Sequence, residues 1–233
     1  MGIAYGVTTN FQATKGIVQD GLVLNLDAAV KESYNGGTTW RDLAGGNNGT
    51  LANMNDTNLI KDNGGVFIFD GGNEYIAFST TPLDFSSNNF SVECIFRTTT
   101  GGTDVMMGHG PTGGDWWFGI AESRLRFSIS LPSTKIEPRT LLTTVNDNQW
   151  KIGLATIDNS TYEVKLYLNG SLVDTRSGTG SYPNSSNDFS VGKFGATSFN
   201  FPGDIACARI YNRVLSANEV AQNFNVMRNR FGI

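Results

Sequence analysis

The sequence is short of the residues that most catalytic and metal sites need. Its 233 residues include one histidine and two cysteines. The histidine, His109, stands in the segment Met107-Gly108-His109-Gly110-Pro111, whose composition predicts a solvent-exposed loop. Nothing near His109 resembles a nucleophile elbow or a zinc-binding H-E-x-x-H helix. These shortages predict a histidine without a catalytic role.

Clustered positive charge and long apolar runs are also missing. Only 16% of the residues are charged, and the net charge is −4. Because neutralising phosphates takes clustered Lys and Arg, this argues against a nucleic-acid partner. No apolar run approaches the roughly 20 residues that span a bilayer. Residues 1–10 lack the basic and apolar regions of a secretory signal, so we expect synthesis in a cytoplasm and no membrane partner.

The two cysteines lie far apart in strand-like segments. Cys94 shares its strand parity with Phe90, Val92 and Phe96, which predicts that these side chains point to the same buried face. A buried free thiol is the preferred interpretation over a disulfide or a metal ligand.

Short apolar segments that alternate with polar residues and Gly-rich turns occupy most of the chain. Residues 116–121 and 124–131 predict two paired strands, and Asn169-Gly170 predicts a type I′ hairpin turn. Residues 66–70 and 74–78 predict a further hairpin around Gly71-Gly72. The pattern indicates an all-β, two-sheet antiparallel β-sandwich over residues 21–233, preceded by an extended N-terminal arm at residues 1–20.

The closing segment combines a strand with a short C-terminal helix. Residues 205–211 form an apolar run. Ser216 and Glu219 then have the spacing of a capping box. The helix is predicted over residues 217–227, and it is expected to dock on a sheet through the apolar positions i, i+4 and i+7. Those positions are Val220, Phe224 and Met227.

This closing segment resembles the last strand of laminin-G-like, concanavalin-A-like lectin domains, which typically reads G-x-I-D-E-V-R-I-Y-N-R-x-L-S. The chain departs from the pattern at residues 206–208, where Ala-Cys-Ala replaces D-E-V. Residues 150–155 and 167–170 resemble the family's W-h-v-a-v-t and Y-v-N-G segments. The resemblance covers most of residues 21–233 and implies a jelly-roll sandwich.

A narrower resemblance joins the chain to lectin-like domains in structural proteins of tailed bacteriophages, including those of cyanobacteria. It rests on residues 21–29, 39–43, 48–51 and 222–233. It implies a virion protein, a capsid decoration, cement or tail-associated component, that contacts other capsid or tail proteins and forms a homo-oligomer on the particle. The alternative is a lectin-like adhesion module that binds host surface glycans.

The family resemblance also bears on catalysis and on calcium. Related β-sandwich glucanases carry an E-x-D-x-x-E strand, whose spacing is missing here, so we predict no enzyme activity and no cofactor. Laminin-G-like domains often hold one Ca²⁺ at the sandwich rim. Weak candidates for its oxygen ligands are Asp70, Asn73 and Glu74, or Asp158 and Asn159. Asp and Asn in turns usually bond their own backbone instead.

A carbohydrate site would need an exposed aromatic ring with polar neighbours. Trp116 and Trp117 are adjacent in a predicted strand, so one indole is expected in the core and the other on the surface. The polar residues that could flank the exposed indole are Asp104, Asp115 and His109. An exposed Trp serves a protein interface equally well.

The N-terminal arm is the predicted attachment segment. Its apolar residues, among them Ile3, Tyr5 and Phe11, are scattered among Gly, Thr and Asn. Such a segment cannot bury enough apolar area by itself to offset the entropy of ordering it. Docking on a neighbouring virion protein or a second copy is therefore the first interpretation, and folding back on its own sandwich is the alternative.

Overall fold

The computed structural model describes residues 16–86, 88–110, 116–131, 134–180, 189–195 and 199–233. Within these ranges the chain forms sixteen strands, two short 3-10 turns (Asp56–Asn58 and Asp62–Gly64) and one α-helix. The strands are β1 (Leu22–Asp27), β2 (Thr39–Trp40), β3 (Gly49–Ala52), β4 (Leu59–Ile60), β5 (Val66–Asp70), β6 (Tyr75–Phe78), β7 (Phe90–Arg97), β8 (Asp104–His109), β9 (Trp116–Ala121), β10 (Arg124–Leu131), β11 (Thr134–Ile136), β12 (Lys151–Asp158), β13 (Glu163–Leu168), β14 (Ser171–Ser177), β15 (Phe189–Val191) and β16 (Pro202–Tyr211). The helix α1 covers Ala217–Phe231.

The strands make two antiparallel eight-stranded sheets, which confirms the predicted all-β sandwich with one C-terminal helix. The helix-side sheet has the order β14-β13-β12-β7-β16-β5-β4, and β1 also pairs with β16. The far sheet has the order β11-β10-β9-β8-β15-β6-β3-β2. No helix in the described part of the chain is long and apolar enough to cross a membrane.

The main core lies between the two sheets. Trp40 packs on Phe67 with 4.7 Å between ring centroids, and Trp116 packs on Phe127 at 5.7 Å. The predicted inner face of β7 is confirmed, since all its even-numbered residues are buried in this core. Cys94 on that face and Cys207 on β16 are both buried and free. Burial raises the pKa of the Cys207 thiol to about 12, so it stays protonated and unreactive at neutral pH.

Helix α1 covers the outer face of the helix-side sheet. The predicted capping box is present: Ser216 accepts the Glu219 backbone N–H, and the Glu219 carboxylate accepts the Ser216 N–H. The predicted docking residues Val220, Phe224 and Met227 all pack on the sheet side, although Phe224 is only half-buried. The helix runs on to Phe231, and its buried residues follow the spacing i, i+3, i+7 and i+11. They are Val220, Asn223, Met227 and Phe231.

Residues 16–20, predicted as part of the arm, pack on this helix. Val18 is buried, and its backbone N–H donates to Asn223 Oδ1 at 2.9 Å. Gln222 Nε2 donates to the Gly16 carbonyl at 2.7 Å. The segment that enters β1 is therefore attached to the chain's own sandwich. The arm residues Ile3, Tyr5 and Phe11 lie outside the described residues.

Two predicted hairpins are confirmed and one is wrong. Strands β9 and β10 pair as predicted, and so do β13 and β14, with Asn169 (φ 48°) and Gly170 (φ 76°) at their turn. Strands β5 and β6 do not pair, because β5 lies in the helix-side sheet and β6 in the far sheet. Gly71 and Gly72 make a short connection between the sheets, and a local turn signal does not determine which strand a segment pairs with.

Candidate functional site

The outer face of the far sheet carries one row of residues in register across four strands. Ser128 on β10 pairs with Trp117 on β9, which pairs with Gly108 on β8, which pairs with Ser190 on β15. Trp116 points into the core, so its neighbour Trp117 points outward, where it is half-buried. The sheet therefore presents one indole on the side away from helix α1.

Polar side chains of β10 and the segment after β11 lie beside Trp117. The Ser128 hydroxyl donates to Glu137 Oε1 at 2.8 Å. Arg126 shares the parity of Ser128 on β10, and its Nη2 lies 3.2 Å from Glu122 Oε2. Its buried Nε has no hydrogen-bond partner. The face thus presents the half-buried side chains of Trp117, Arg126 and Glu137, while the Ser128 hydroxyl is buried beneath them.

A strained turn holds part of this face in place. Glu122 and Ser123 join β9 to β10 and have φ of 54° and 61°, a left-handed conformation that non-glycine residues rarely adopt. Ser123 is fixed on both sides, since its N–H donates to Gly101 and its carbonyl accepts from Val145. Glu122 is 69% exposed and accepts from Arg126 and from Arg139, the latter at 3.3 Å. Backbone strain of this kind is concentrated at functional sites.

A cavity opens on the same sheet, beyond Gly108. Its volume is about 300 Å³. Its lining residues are Tyr75, Ala77, Phe78, Phe189, Ser190, Lys193 and Gly195. Ser190 and Ala77 are cross-strand partners, so the cavity continues the row that contains Trp117. No local pattern in the sequence predicts this cavity, because its walls come from segments more than a hundred residues apart.

The predicted loop histidine is a core residue, so that prediction was wrong. His109 ends β8 and is 5% exposed. Its ring packs on Phe85 with 4.6 Å between centroids and stacks on Trp116 at 6.2 Å. The flanking glycines suggested a loop, but β8 runs through Gly108 to His109, which pairs with Phe189. His109 therefore faces the core and cannot flank Trp117.

The other predicted flanking residues do not meet at Trp117 either. Asp104 pairs with Ile120, at the far end of β9 from Trp117, and accepts a hydrogen bond from the Thr100 hydroxyl. Asp115 lies outside the described residues. The polar neighbours of Trp117 are instead Arg126, Ser128 and Glu137, as described above.

The calcium candidates have their oxygens directed at hydrogen-bond donors. Glu74 accepts from the Asp70 N–H at 2.7 Å and from Asn58 Nδ2 at 2.6 Å. Asp70 Oδ1 accepts from the Gly72 N–H at 2.6 Å, and the Asn73 carbonyl accepts from Asn53. No group of three acidic, His or Cys side chains in the described ranges is arranged to hold a metal ion.

In the second calcium candidate group, the Asp158 carboxylate is occupied in the same way. Asp158 Oδ1 accepts from the Ser160 hydroxyl and backbone N–H and from the Thr161 N–H. The Ser160 hydroxyl is the main reason that the pKa of Asp158 is lowered. Asn159 Nδ2 donates to the Asn88 carbonyl at 2.7 Å. Asn159 Oδ1 is buried without a hydrogen-bond partner among the described residues, but Asp158 belongs to no group of three acidic, His or Cys side chains there that could hold a metal ion.

The comparison with protein families identifies the fold class. Residues 70–221, more than half of the chain, match a family described as the concanavalin A-like lectin/glucanases superfamily. The chain belongs to this superfamily, and the matching member is its laminin G type, Laminin_G_3. A comparison with curated protein sequences found no match.

Solved structures of binding domains share the fold. The binding domain of Paraclostridial Mosquitocidal Protein 1 is similar with a TM-score of 0.71 and 19% identity, over 91% of this chain and 53% of that one. The receptor-binding domain of botulinum neurotoxin type G is similar with a TM-score of 0.64 and 18% identity, over 89% of this chain and 52% of that one. This chain therefore spans about half the length of these two domains. At such identities the likeness shows the fold alone.

A third similar structure matches over its whole length. Domain 4 of AbnA, an extracellular GH43 arabinanase from Geobacillus stearothermophilus, was solved in complex with arabinotriose. Its TM-score is 0.60 at 19% identity, over 88% of this chain and 99% of that one.

Proposed function

We propose that this protein is a non-enzymatic carbohydrate-binding module that binds glycans on the outer face of its far sheet, around Trp117. The observation that carries the proposal is the outward indole of Trp117 beside Ser128, which is bonded to Glu137. Aromatic rings cover the apolar face of a sugar, while neighbouring polar groups bond its hydroxyls. The arabinotriose complex of the similar arabinanase domain supports this by analogy of fold.

The unsatisfied donor of Arg126 strengthens the proposal. Its Nε is buried without a partner, although Nη2 contacts Glu122. Leaving a buried donor unpaired costs about 1–3 kcal/mol. A sugar hydroxyl that accepted from this group would recover that free energy, in addition to the stacking on Trp117, once the Arg126 side chain had moved to expose its Nε.

The direct test is a glycan array probed with the pure protein and with Trp117→Ala. We expect the wild type to bind a defined set of glycans and the variant to lose that binding while its melting temperature is retained. The matched control is Phe224→Ala, which removes another half-buried ring on the opposite side of the molecule and should keep the binding. A blank wild-type array, or unchanged binding by Trp117→Ala, would contradict the proposal.

The second candidate function is that of a virion component that decorates a tailed-phage capsid or tail through protein contacts. The sequence resemblance to phage structural proteins supports it. One structural observation also favours it: Leu141 and Leu142 are 48% and 98% exposed, side by side, after β11. Exposed apolar side chains of this kind are common at protein interfaces. In this proposal the protein is located in the virion and residues 1–15 are its attachment arm.

Electron microscopy of the intact particle tests the second candidate. We expect a deletion of residues 2–15 and the double change of Leu141 and Leu142 to Ser to reduce occupancy on the particle, while the isolated proteins stay folded. A charge-neutral change on the far face, Trp117→Ala, serves as the control and should leave occupancy unchanged. If both altered proteins occupy the particle as the wild type does, neither the arm nor Leu141 and Leu142 attach the protein to the virion.

A further inference from the structure

We propose that the cavity around Tyr75 and Lys193 is a second sugar site, which takes a sugar carrying a carboxylate group. The site is separate from Trp117, and the inference rests on the proposed carbohydrate-binding function only in choosing a sugar as the ligand. Its volume of about 300 Å³ is at the lower end of the range for small-molecule sites.

The charge of the cavity selects the ligand. Among the described residues that line the cavity, Lys193 is the single cation and none is acidic. The nearby carboxylate of Glu74 is bonded to the Asn58 amide and the Asp70 N–H instead. Within the described ranges Lys193 has no salt bridge, whereas most other buried or half-buried cations of this chain have one. An anion in the cavity would therefore meet an uncompensated positive charge in a protein whose net charge is −4.

The ammonium group of Lys193 is positioned at the cavity wall. Its Nζ lies 3.6 Å from the centroid of the Tyr75 ring, in a cation–π contact. A lysine ammonium has three donors, and the ring face occupies one side of it. The remaining donors are free to bond the two oxygens of a carboxylate, and such charge-assisted hydrogen bonds are about twice as strong as neutral ones.

The loop that carries Lys193 is held at several points. The Gly192 N–H donates to the Met106 carbonyl at 2.8 Å, and the Gly192 carbonyl accepts from the Phe201 N–H at 2.9 Å. The Lys193 carbonyl accepts from the Ser190 hydroxyl at 2.9 Å. Phe194 is buried over Gly108, where a Cβ atom would lie 2.7 Å from its ring. The cation therefore sits on a fixed backbone, which reduces the entropy lost on binding.

The remaining wall suits a sugar better than a small inorganic anion. Tyr75, Phe78 and Phe189 provide aromatic surface, and Ser190 provides a hydroxyl. An inorganic anion would contact Lys193 and leave the aromatic part of the wall uncovered. A pyranose with a carboxylate on its ring carbon would place its C–H face on the aromatic wall while the carboxylate reaches Lys193.

The test compares methyl β-glucuronide with methyl β-glucoside, which share one ring and differ in the carboxylate. Titrations followed by NMR of the isotope-labelled protein should show saturable shifts at Tyr75, Ser190 and Lys193. The glucuronide should bind at least about tenfold more tightly than the glucoside. Lys193→Gln should remove this preference, and Lys193→Arg, which keeps the charge, should retain most of it. Equal affinity for the two sugars, or an unchanged preference in Lys193→Gln, would overturn the inference.

Two further arms separate the outcomes. Inorganic phosphate should bind more weakly than the glucuronide, and equal affinity would reduce the site to a general anion site and overturn the sugar assignment. Trp117→Ala should keep glucuronide binding. If glycan-array binding is absent or does not depend on Trp117, while glucuronide binding depends on Lys193, the second site is supported and the first is ruled out. If array binding needs Trp117 and no glucuronide shifts appear, the first site stands and the second falls.

Discussion

At the scale of single residues, a buried ion pair joins the helix to the sheet beneath it. Glu93 on β7 and Arg209 on β16 are each 1% exposed, and Arg209 Nη1 lies 2.7 Å from Glu93 Oε2. Asn223 of the helix donates to Tyr211 at 2.9 Å and lies 3.4 Å from Glu93. Asn25 accepts from Arg209 Nε at 3.0 Å. Each charge is thus satisfied by partners on different elements.

We predict that Glu93→Ala lowers the free energy of unfolding by about 3–5 kcal/mol, because it leaves the Arg209 charge buried without its partner. Chemical denaturation of the pure protein measures this difference. The control is Glu122→Ala, which removes an exposed carboxylate that also contacts arginines and should cost no more than about 1 kcal/mol. A loss in Glu93→Ala as small as that of the control would show that the pair contributes little.

At the scale of the element, helix α1 is held by the side chains that face the sheet. Phe231 is buried and packs on Trp150 with 4.9 Å between ring centroids. Phe224 is half-buried at the edge, against Gly170. Phe231→Ala should therefore cost about 3–5 kcal/mol, and Phe224→Ala roughly half as much. Urea denaturation of the two variants measures both losses of unfolding free energy. A larger loss in Phe224→Ala than in Phe231→Ala would contradict the prediction.

The cap of helix α1 makes the stability of the folded protein fall at acid pH. The hydrogen bond from Arg213, with other contacts, lowers the pKa of Glu219 from 4.5 to about 2. A folded-state pKa below the unfolded value means that the cap stabilises above pH 4.5 and that this contribution is lost as the pH falls through about 2.

We predict that Glu219→Gln melts at a lower temperature than the wild type near neutral pH and that the gap narrows between pH 4.5 and 2. Thermal melts followed by circular dichroism at several pH values measure the gap. Glu163 on β13 is half-buried and paired with Lys165, away from the cap, and Glu163→Gln is the control for a lost ion pair elsewhere. A gap that stays constant with pH would show that the charge of Glu219 is not what the cap needs.

Local patterns predicted the elements whose signals lie within a few residues. The hairpin of β9 and β10, the turn at Asn169 and Gly170, and the capping box of α1 were all predicted from sequence. The failed hairpin of β5 and β6 and the burial of His109 depend on partners far along the chain. Periodicity shows which face a strand buries, but it does not show what covers that face or which strand lies beside it.

The residues of the candidate site also separate into those that a local pattern predicts and those that it does not. The outward position of Trp117 follows from the period of β9. Arg126 and Ser128 could have been added from the alternation of β10, once the β9–β10 turn fixed the register. Glu137 and Lys193 come from segments outside that hairpin, and no pattern in the sequence brings them to the same sheet face.

At the scale of the whole molecule, the two outer faces differ in how they are covered. The helix-side sheet is closed by α1 and by residues 16–20, so that all residues of β7 except Arg97 are buried. The far sheet keeps half-buried polar residues at alternate positions of β10. The closed face contributes to stability, and the proposed function places the glycan on the far face.

We predict that residues 16–20 contribute measurably to stability. A chain that begins at residue 16 keeps the buried Val18 and its bond to Asn223, and one that begins at residue 21 loses both. The difference should be roughly 2–4 kcal/mol of unfolding free energy. Denaturation of the two truncated chains measures it, with Val18→Ala in the longer chain as a smaller change of the same sign. If the chains that begin at residues 16 and 21 are equally stable, the contacts of residues 16–20 with the helix contribute no net stability.

The position of β16 has a consequence for biosynthesis. This strand pairs with β7 along one edge and with β5 and β1 along the other, and it follows every other described strand in the chain. A nascent chain that has emerged from the ribosome only as far as β15 therefore exposes the edges and apolar faces of three strands at once. Such long-range pairing slows folding and favours aggregation before it is complete. We expect this domain to fold only after translation has passed residue 211 and to rely on chaperones until then.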